Sequence, residues 1–148
     1  MKITVLNGPN LNLLGIREPG IYGTETYKTL VKKIKAHARK SGVRVKCLQS
    51  NHEGTLVDMI HAAHARGVDG IVFNPGAYTH TSIALLDALK ATGIPTVEVH
   101  VSDVDAREDF RKISYIRPAC LATVAGHGIN GYLEAIDLLL CAKKEEKK

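Results

Sequence analysis

Glu98 and His100 lie two residues apart in the apolar run Thr96–Val101, so on a strand they share one face. A carboxylate beside an imidazole fixes its tautomer and favours the protonated form, which suits a general acid. The same pair also reads as a satisfied structural couple. Just beyond it, Ser102 and the amides of Val101 and Ser102 offer donors to a carboxylate. Arg107 and Arg111 lie four apart, on one face if the stretch is helical. They bind an anion there, or pair with Glu108 and Asp109.

A second reactive pair, Arg17 and Tyr22, sits in the long segment Asn7–Gly23. A phenol titrates near pH 10, about three units too high for a base at neutral pH, unless a cation stabilises the phenolate. An arginine alongside would do so. Alternatively, Arg17 pairs with Glu18 at the surface and Tyr22 simply packs. The segment's four glycines and two prolines suggest a lid over about residues 15–23.

A third cluster is Asn74-Pro75-Gly76-Ala77-Tyr78-Thr79-His80-Thr81-Ser82. Its turn chemistry is strong, and Thr79 or Thr81 would cap the helix that follows. His80 at that helix start could meet hydroxyls or anions, or be only an exposed histidine. Asp87 shares its helix face but sits about two turns, or roughly 10 Å, away. His61 and His64 are three apart with Asp58 three before them, without the HExxH pattern or a third strong ligand. A solvated or packing role fits them better than a metal. His37, His52 and His127 have no clear partner in the sequence.

The elements that must hold these groups follow from hydrophobic period. Ile3–Leu6, Val43–Leu48, Gly70–Phe73, Thr96–Val101 and Ala119–Ala125 read as five strands. Between them run helical stripes. The first is Tyr27, Leu30, Val31, Ile34 and Ala38, stopped by Gly42. The second is Leu56, Met59, Ile60 and Ala63, stopped by Gly67. The third is Ile83, Leu86, Leu89 and Lys90, stopped by Gly93 and Pro95. The last is Tyr132, Ile136, Leu139 and Leu140. Leu133 and Leu138 lie off that last stripe, which means subunit contacts or a broad core face. Strands alternating with helices predict one α/β domain over 1–148, a flavodoxin-like, doubly wound, five-stranded parallel sheet. In such a sheet ligands bind at the carboxyl ends of the strands, where the three clusters fall. The mixed-charge end over 143–148 reads as frayed.

Composition excludes several classes. Among the 148 residues, 45% are apolar and 24% charged, as expected for a globular domain. No apolar run approaches the roughly 20 residues of a membrane span, and the first residues lack a signal-peptide pattern, so a cytoplasmic protein without membrane partners is expected. Cys47, Cys120 and Cys141 are odd in number and widely spaced, which predicts reduced thiols among apolar neighbours and no zinc. The net charge of +5 could attract nucleic acid, but five Tyr, two Phe and no Trp offer little for base stacking, and a small anionic substrate explains the bias as well. The loop after strand 1 matches neither GxGxxG nor GxxxxGK[ST], which disfavours dinucleotides and nucleoside triphosphates. A flavin-binding module would need a Ser/Thr-rich loop where this chain has GPNLNLLG. A phospho-receiver would need acidic residues where it has Asn7 and Asn74.

Taken together, GPNLNLLG at 8–15, REPGIYG at 17–23, QSNHEG at 49–54, FNPGAYTHTS at 73–82, EVHVS at 98–102, AREDFR at 106–111 and GINGY at 128–132 resemble type II 3-dehydroquinate dehydratase. The resemblance implies a shikimate-pathway lyase, serving chorismate and aromatic amino acid biosynthesis. It implies a dodecamer of four trimers and no cofactor, Schiff base or metal. Carried over by motif, Tyr22 would take the C2 proton of 3-dehydroquinate as tyrosinate, with Arg17 stabilising it. Asn10 would hold a water at the enolate oxygen. His100, oriented by Glu98, would protonate the departing C1 hydroxyl. Asn74, His80 and Arg111 would bind substrate hydroxyls, Val101 and Ser102 its carboxylate, and Asp87 would approach a neighbouring subunit's site. Ala77 and His127 depart from the family pattern at positions outside this chemistry.

Overall fold

The first strand, β1 (Lys2–Asn7), sends Ile3 and Val5 into one apolar layer and Leu6 into the other, and all three are buried. Two-sided burial of one strand requires cover on both faces. The computed structural model, which describes residues 1–146, supplies it. Four further strands join β1: β2 (Arg44–Gln49), β3 (Gly70–Asn74), β4 (Thr96–His100) and β5 (Ala122–Ala125). Every pairing is parallel and the order is β2-β1-β3-β4-β5. This is the flavodoxin-like, doubly wound sheet that the alternating pattern predicts.

Among the described residues are the single turn α1 (Pro19–Tyr22), in the segment after β1, and four helices that flank the sheet, α2 (Tyr27–Lys40), α3 (Glu53–Ala65), α4 (Ile83–Thr92) and α5 (Asn130–Glu145). Leu30 and Ile34 of α2 and Ile136 of α5 pack on the Ile3–Val5 face. Leu56 and Ile60 of α3 and Leu85 of α4 pack on the Leu6–Phe73 face. The stripes of α2, α3 and α5 fall where the 3.6-residue period puts them. Gly42, Gly67 and Gly93 end α2, α3 and α4 at positive φ, a conformation that a Cβ disfavours. Among the described residues no helix is long and apolar enough to cross a membrane.

Four expectations need correction. The buried face of α4 is Leu85, Ala88 and Leu89, whereas Ile83 is 56% exposed and Lys90 is in solvent. The helix meets the sheet through a phase shifted from the predicted stripe. Its cap is neither Thr79 nor Thr81 but Ser82, whose hydroxyl accepts from the Leu85 amide at 3.0 Å. Strand β5 starts at Ala122, not Ala119, because Arg117–Ala119 form a 3₁₀ turn around Pro118, which cannot donate to a ladder. Finally, Lys143–Glu145 belong to α5, and Lys143 is tied by its ammonium to Asp69, so the predicted fraying does not begin at 143. Lys147 and Lys148 lie outside the described residues. Leu133 packs on the core, whereas Leu138 is 39% exposed. Cys47 and Cys120 are half-buried thiols, but Cys141 is exposed.

Candidate active site

The ends of β1, β3 and β4 open onto one cleft, and the segments that follow them line it. Tyr132 fixes the first two. Its buried hydroxyl donates to Asn7 Oδ1 at 2.7 Å and accepts from Asn74 Nδ2 at 2.8 Å, tying the last residue of β1 to the last residue of β3. Asn74 Oδ1 in turn accepts from the Gly76 amide at 3.1 Å. The Asn74 amide therefore faces the cleft in one orientation.

Gly8 follows directly, and its backbone lies against Pro75. A Cβ at position 8 would sit 2.3 Å from the Pro75 carbonyl oxygen. Only glycine lets the two loops approach this closely. Beyond it, Asn10 turns through φ 68°, and its amide donates to Asn51 Oδ1 at 3.1 Å. Gln49 spans the same junction, donating to the Gly8 carbonyl at 3.2 Å and to Asn51 Oδ1 at 3.0 Å. The QSN stretch after β2 thus braces the loop that carries Asn10. Gly8→Ala should separate these backbones, cost about 1–3 kcal/mol as overpacking does, and lower the melting temperature by about 3–10 °C. A thermal melt superimposable on the parent's would contradict this.

On β4, the shared face predicted for Glu98 and His100 is realised: His100 Nε2 donates to Glu98 Oε1 at 2.7 Å. Nδ1 is then the nitrogen left for the cleft, and any proton His100 delivers leaves from there. Glu98 is wholly buried. Burial alone would raise its carboxyl. The hydrogen bond and charge of His100, with hydrogen bonds from Thr79 and Ser114, outweigh that and bring it down to about 2. The sign of the linkage follows. A carboxyl near 4.5 unfolded and about 2 folded contributes stability that is complete above pH ~4.5 and is lost as pH falls toward 2. Glu98→Gln should flatten the acid side of the stability curve in that window, read by denaturant titrations at several pH values. Parallel curves would refute it.

Residues 15–23 bring Arg17 and Tyr22 onto the same cleft. Gly15 and Gly23 turn at positive φ, Glu18 adopts φ 36°, and the single turn α1 ends on Tyr22. Arg17 lies with its guanidinium carbon 4.6 Å from the Tyr22 ring centroid, and its Nε is 3.5 Å from Glu18. It stacks on the ring face as a cation. The phenol oxygen has a different partner: Arg107 Nη1 donates to it at 2.8 Å. Arg107 is the cation at the oxygen, while Arg17 lies over the ring. The two partners are 85 residues apart, and no local pattern links them.

Arg107 and Arg111 are not on one helix. They sit at two separate 3₁₀ turns and converge on Glu108, whose Oε2 is 2.8 Å from Arg111 Nε and 3.6 Å from Arg107 Nε. Both also line the cleft. His80 Nδ1 donates to the Ile113 carbonyl at 2.7 Å, leaving Nε2 as its acceptor. Burial, then the nearby charges of His100 and Arg111, hold this imidazole below the ordinary histidine range despite that bond. A neutral His80 suits a substrate hydroxyl.

Of the predicted residues, Asn10, Arg17, Tyr22, Asn74, His80, His100, Val101, Ser102 and Arg111 line this one cleft. Glu98 stands behind His100. Asp87 is exposed on α4 and is not among the lining residues. His61 and His64 are exposed on α3. Arg107 as the phenol's partner, and the hydroxyls of Thr79, Ser114 and Thr123 around Glu98, carry no local signal in the sequence.

The family described as Dehydroquinase class II matches residues 1–140. A 3-dehydroquinate dehydratase of Corynebacterium glutamicum is 54% identical over 143 residues, 97% of this chain and 98% of that relative. One of Caldicellulosiruptor bescii is 53% identical over 135 residues, 91% of this chain and 93% of the relative. The crystal structure of type II dehydroquinase from Butyrivibrio crossotus superposes with a TM-score of 0.94 at 52% identity, covering 95% of this chain and 97% of that one.

Proposed function

The chain belongs to the class II dehydroquinase family, and from that premise we propose that it removes water from 3-dehydroquinate by anti elimination through an enolate. The observation that carries this reading is the pairing across one cleft of an arginine-bonded phenol, Tyr22, with an imidazole backed by a buried carboxylate, His100.

In this reaction Tyr22, as phenolate, takes a proton from C2 of the substrate. Arg107 at the oxygen and Arg17 over the ring stabilise the phenolate form. Negative charge moves to the C3 oxygen, where a water held by Asn10 stabilises the enolate. His100 delivers its Nδ1 proton to the C1 hydroxyl, the C1–O bond breaks, and water leaves as the C1–C2 double bond forms. Proton return from Tyr22 to His100 through solvent resets the site. Val101 and Ser102 hold the substrate carboxylate, and Asn74, neutral His80 and Arg111 hold its hydroxyls. An imine route needs an amine in the cleft. The described lining carries arginines and no lysine, which supports a route without a Schiff base. No step calls on a metal.

Asp87 acts from a neighbouring subunit in this reading, which accounts for its place outside the cleft of its own chain. The active form is a dodecamer of four trimers, each chain contributes one catalytic domain, and the enzyme works in the cytoplasm on the shikimate pathway. Borohydride added with 3-dehydroquinate separates the elimination from imine chemistry. Activity should survive and the protein mass should not change. A reduced adduct on a lysine would overturn the mechanism.

A further inference from the structure

Glu98 is surrounded more heavily than the orientation of one imidazole requires. Its Oε1 accepts from Thr79 at 2.6 Å, His100 at 2.7 Å and Ser114 at 2.8 Å. Its Oε2 accepts from Thr123 at 3.1 Å and faces Arg117 Nε at 3.6 Å. That Nε is itself buried and has no hydrogen-bond partner among the described residues, although the Arg117 side chain is 41% exposed overall. Arg117 does not line the catalytic cleft; it lines a separate depression at β5 together with Asp103, Asp105 and Cys120.

Charge distinguishes these partners. Three are neutral hydroxyls. His100 is a cation only while it holds its second proton. Arg117 is a cation at every working pH. A buried carboxylate left without a positive partner is costly, and it relieves that cost by taking up a proton. The proton at hand is the one on His100.

We propose that Arg117 is a positioning residue for the acid step, the permanent counter-charge that keeps Glu98 a carboxylate when His100 gives its proton away. With the far oxygen compensated, the Nε2 proton shared with Glu98 stays on the imidazole while the Nδ1 proton leaves toward the cleft. The inference rests on the general-acid role of His100 set out above. The remaining ionisable groups facing the pair do not replace Arg117. Arg17, Tyr22, His80, Arg107 and Arg111 lie on the cleft side. On the Arg117 side, Cys120 is neutral, because burial and then the charge of Glu98 push its thiol up to about 12, and Asp103 and Asp105 are acidic side chains that bring no positive charge.

The test reads the pair directly. In deuterated protein labelled at histidine ¹³Cε1, the His100 signal, assigned by its loss in His100→Gln, is followed across pH without substrate. Removing a fixed cation makes the pair easier to protonate. Arg117→Met should therefore move the His100 titration midpoint upward by about half a pH unit, a threefold change in proton affinity. Arg117→Gln, which keeps polarity, should do the same, and Arg117→Lys should stay with the parent. In turnover, Arg117→Met should lower kcat several-fold with KM unchanged. A midpoint unmoved in both neutral variants would overturn the proposal, as would a lysine variant that moves as far as they do. Because the titration needs no substrate, it stands apart from the functional reading, which fails only if the parent enzyme does not dehydrate 3-dehydroquinate.

Discussion

Tyr22→Phe should lower kcat by about 10³-fold or more, the combined scale of a lost general base and its charge-stabilising partners. The substitution deletes one oxygen. The ring stays under Arg17 and packed on the core, so folding and assembly should be unchanged. Arg107 loses its hydrogen-bond acceptor but keeps Glu108 nearby. Substrate should still bind, because the groups assigned to its carboxylate and hydroxyls lie on β3, β4 and the segments after them. The checks are steady-state kinetics with circular dichroism, and solvent deuterium incorporation at C2 of 3-dehydroquinate by NMR. Turnover within tenfold of the parent would remove Tyr22 from the role of base.

His100→Gln should fall by about 10²–10⁴-fold in kcat, the usual scale for a general acid, and in a manner that Tyr22→Phe does not share. The amide can still hydrogen-bond Glu98 but carries no proton to give. In the proposed mechanism the enolate forms before the hydroxyl leaves, so Tyr22 should still remove the C2 proton. In D₂O, His100→Gln should exchange C2 hydrogen for deuterium without releasing water, whereas Tyr22→Phe should do neither above the uncatalysed background. Loss of exchange in both variants would argue that the proton and the hydroxyl depart together.

The contrast between these two residues also marks what the sequence could tell. Glu98 and His100 were readable because a strand has a period of two, and two residues on one strand must share a face. Asn10, Asn74 and Ser102 were readable as strand-end positions for a related reason: a parallel sheet gathers the carboxyl ends of its strands at one edge. The helices α2, α3 and α5 showed their buried faces through their period. In α4, apolar residues lie on more than one face, so the period alone found Leu89 but chose Ile83 and Leu86 over the Leu85 and Ala88 that pack beside it. The segment between Asp103 and Ala119 is a series of 3₁₀ turns with no sustained period, and nothing local announces where its side chains point. Arg107 at the phenol, Ser114 and Arg117 at Glu98 all come from it. Thr79 read as a helix cap because Thr in a turn usually is one; a carboxylate 19 residues away claimed its hydroxyl instead.

The most direct test of the central claim is turnover itself. Purified enzyme is mixed with 3-dehydroquinate, and ultraviolet absorbance follows formation of the conjugated enone acid. The account predicts a steady rise in absorbance from the parent enzyme, with 3-dehydroshikimate as the product, and essentially none from Tyr22→Phe at equal concentration. A folded, assembled parent enzyme that leaves 3-dehydroquinate unchanged would contradict it.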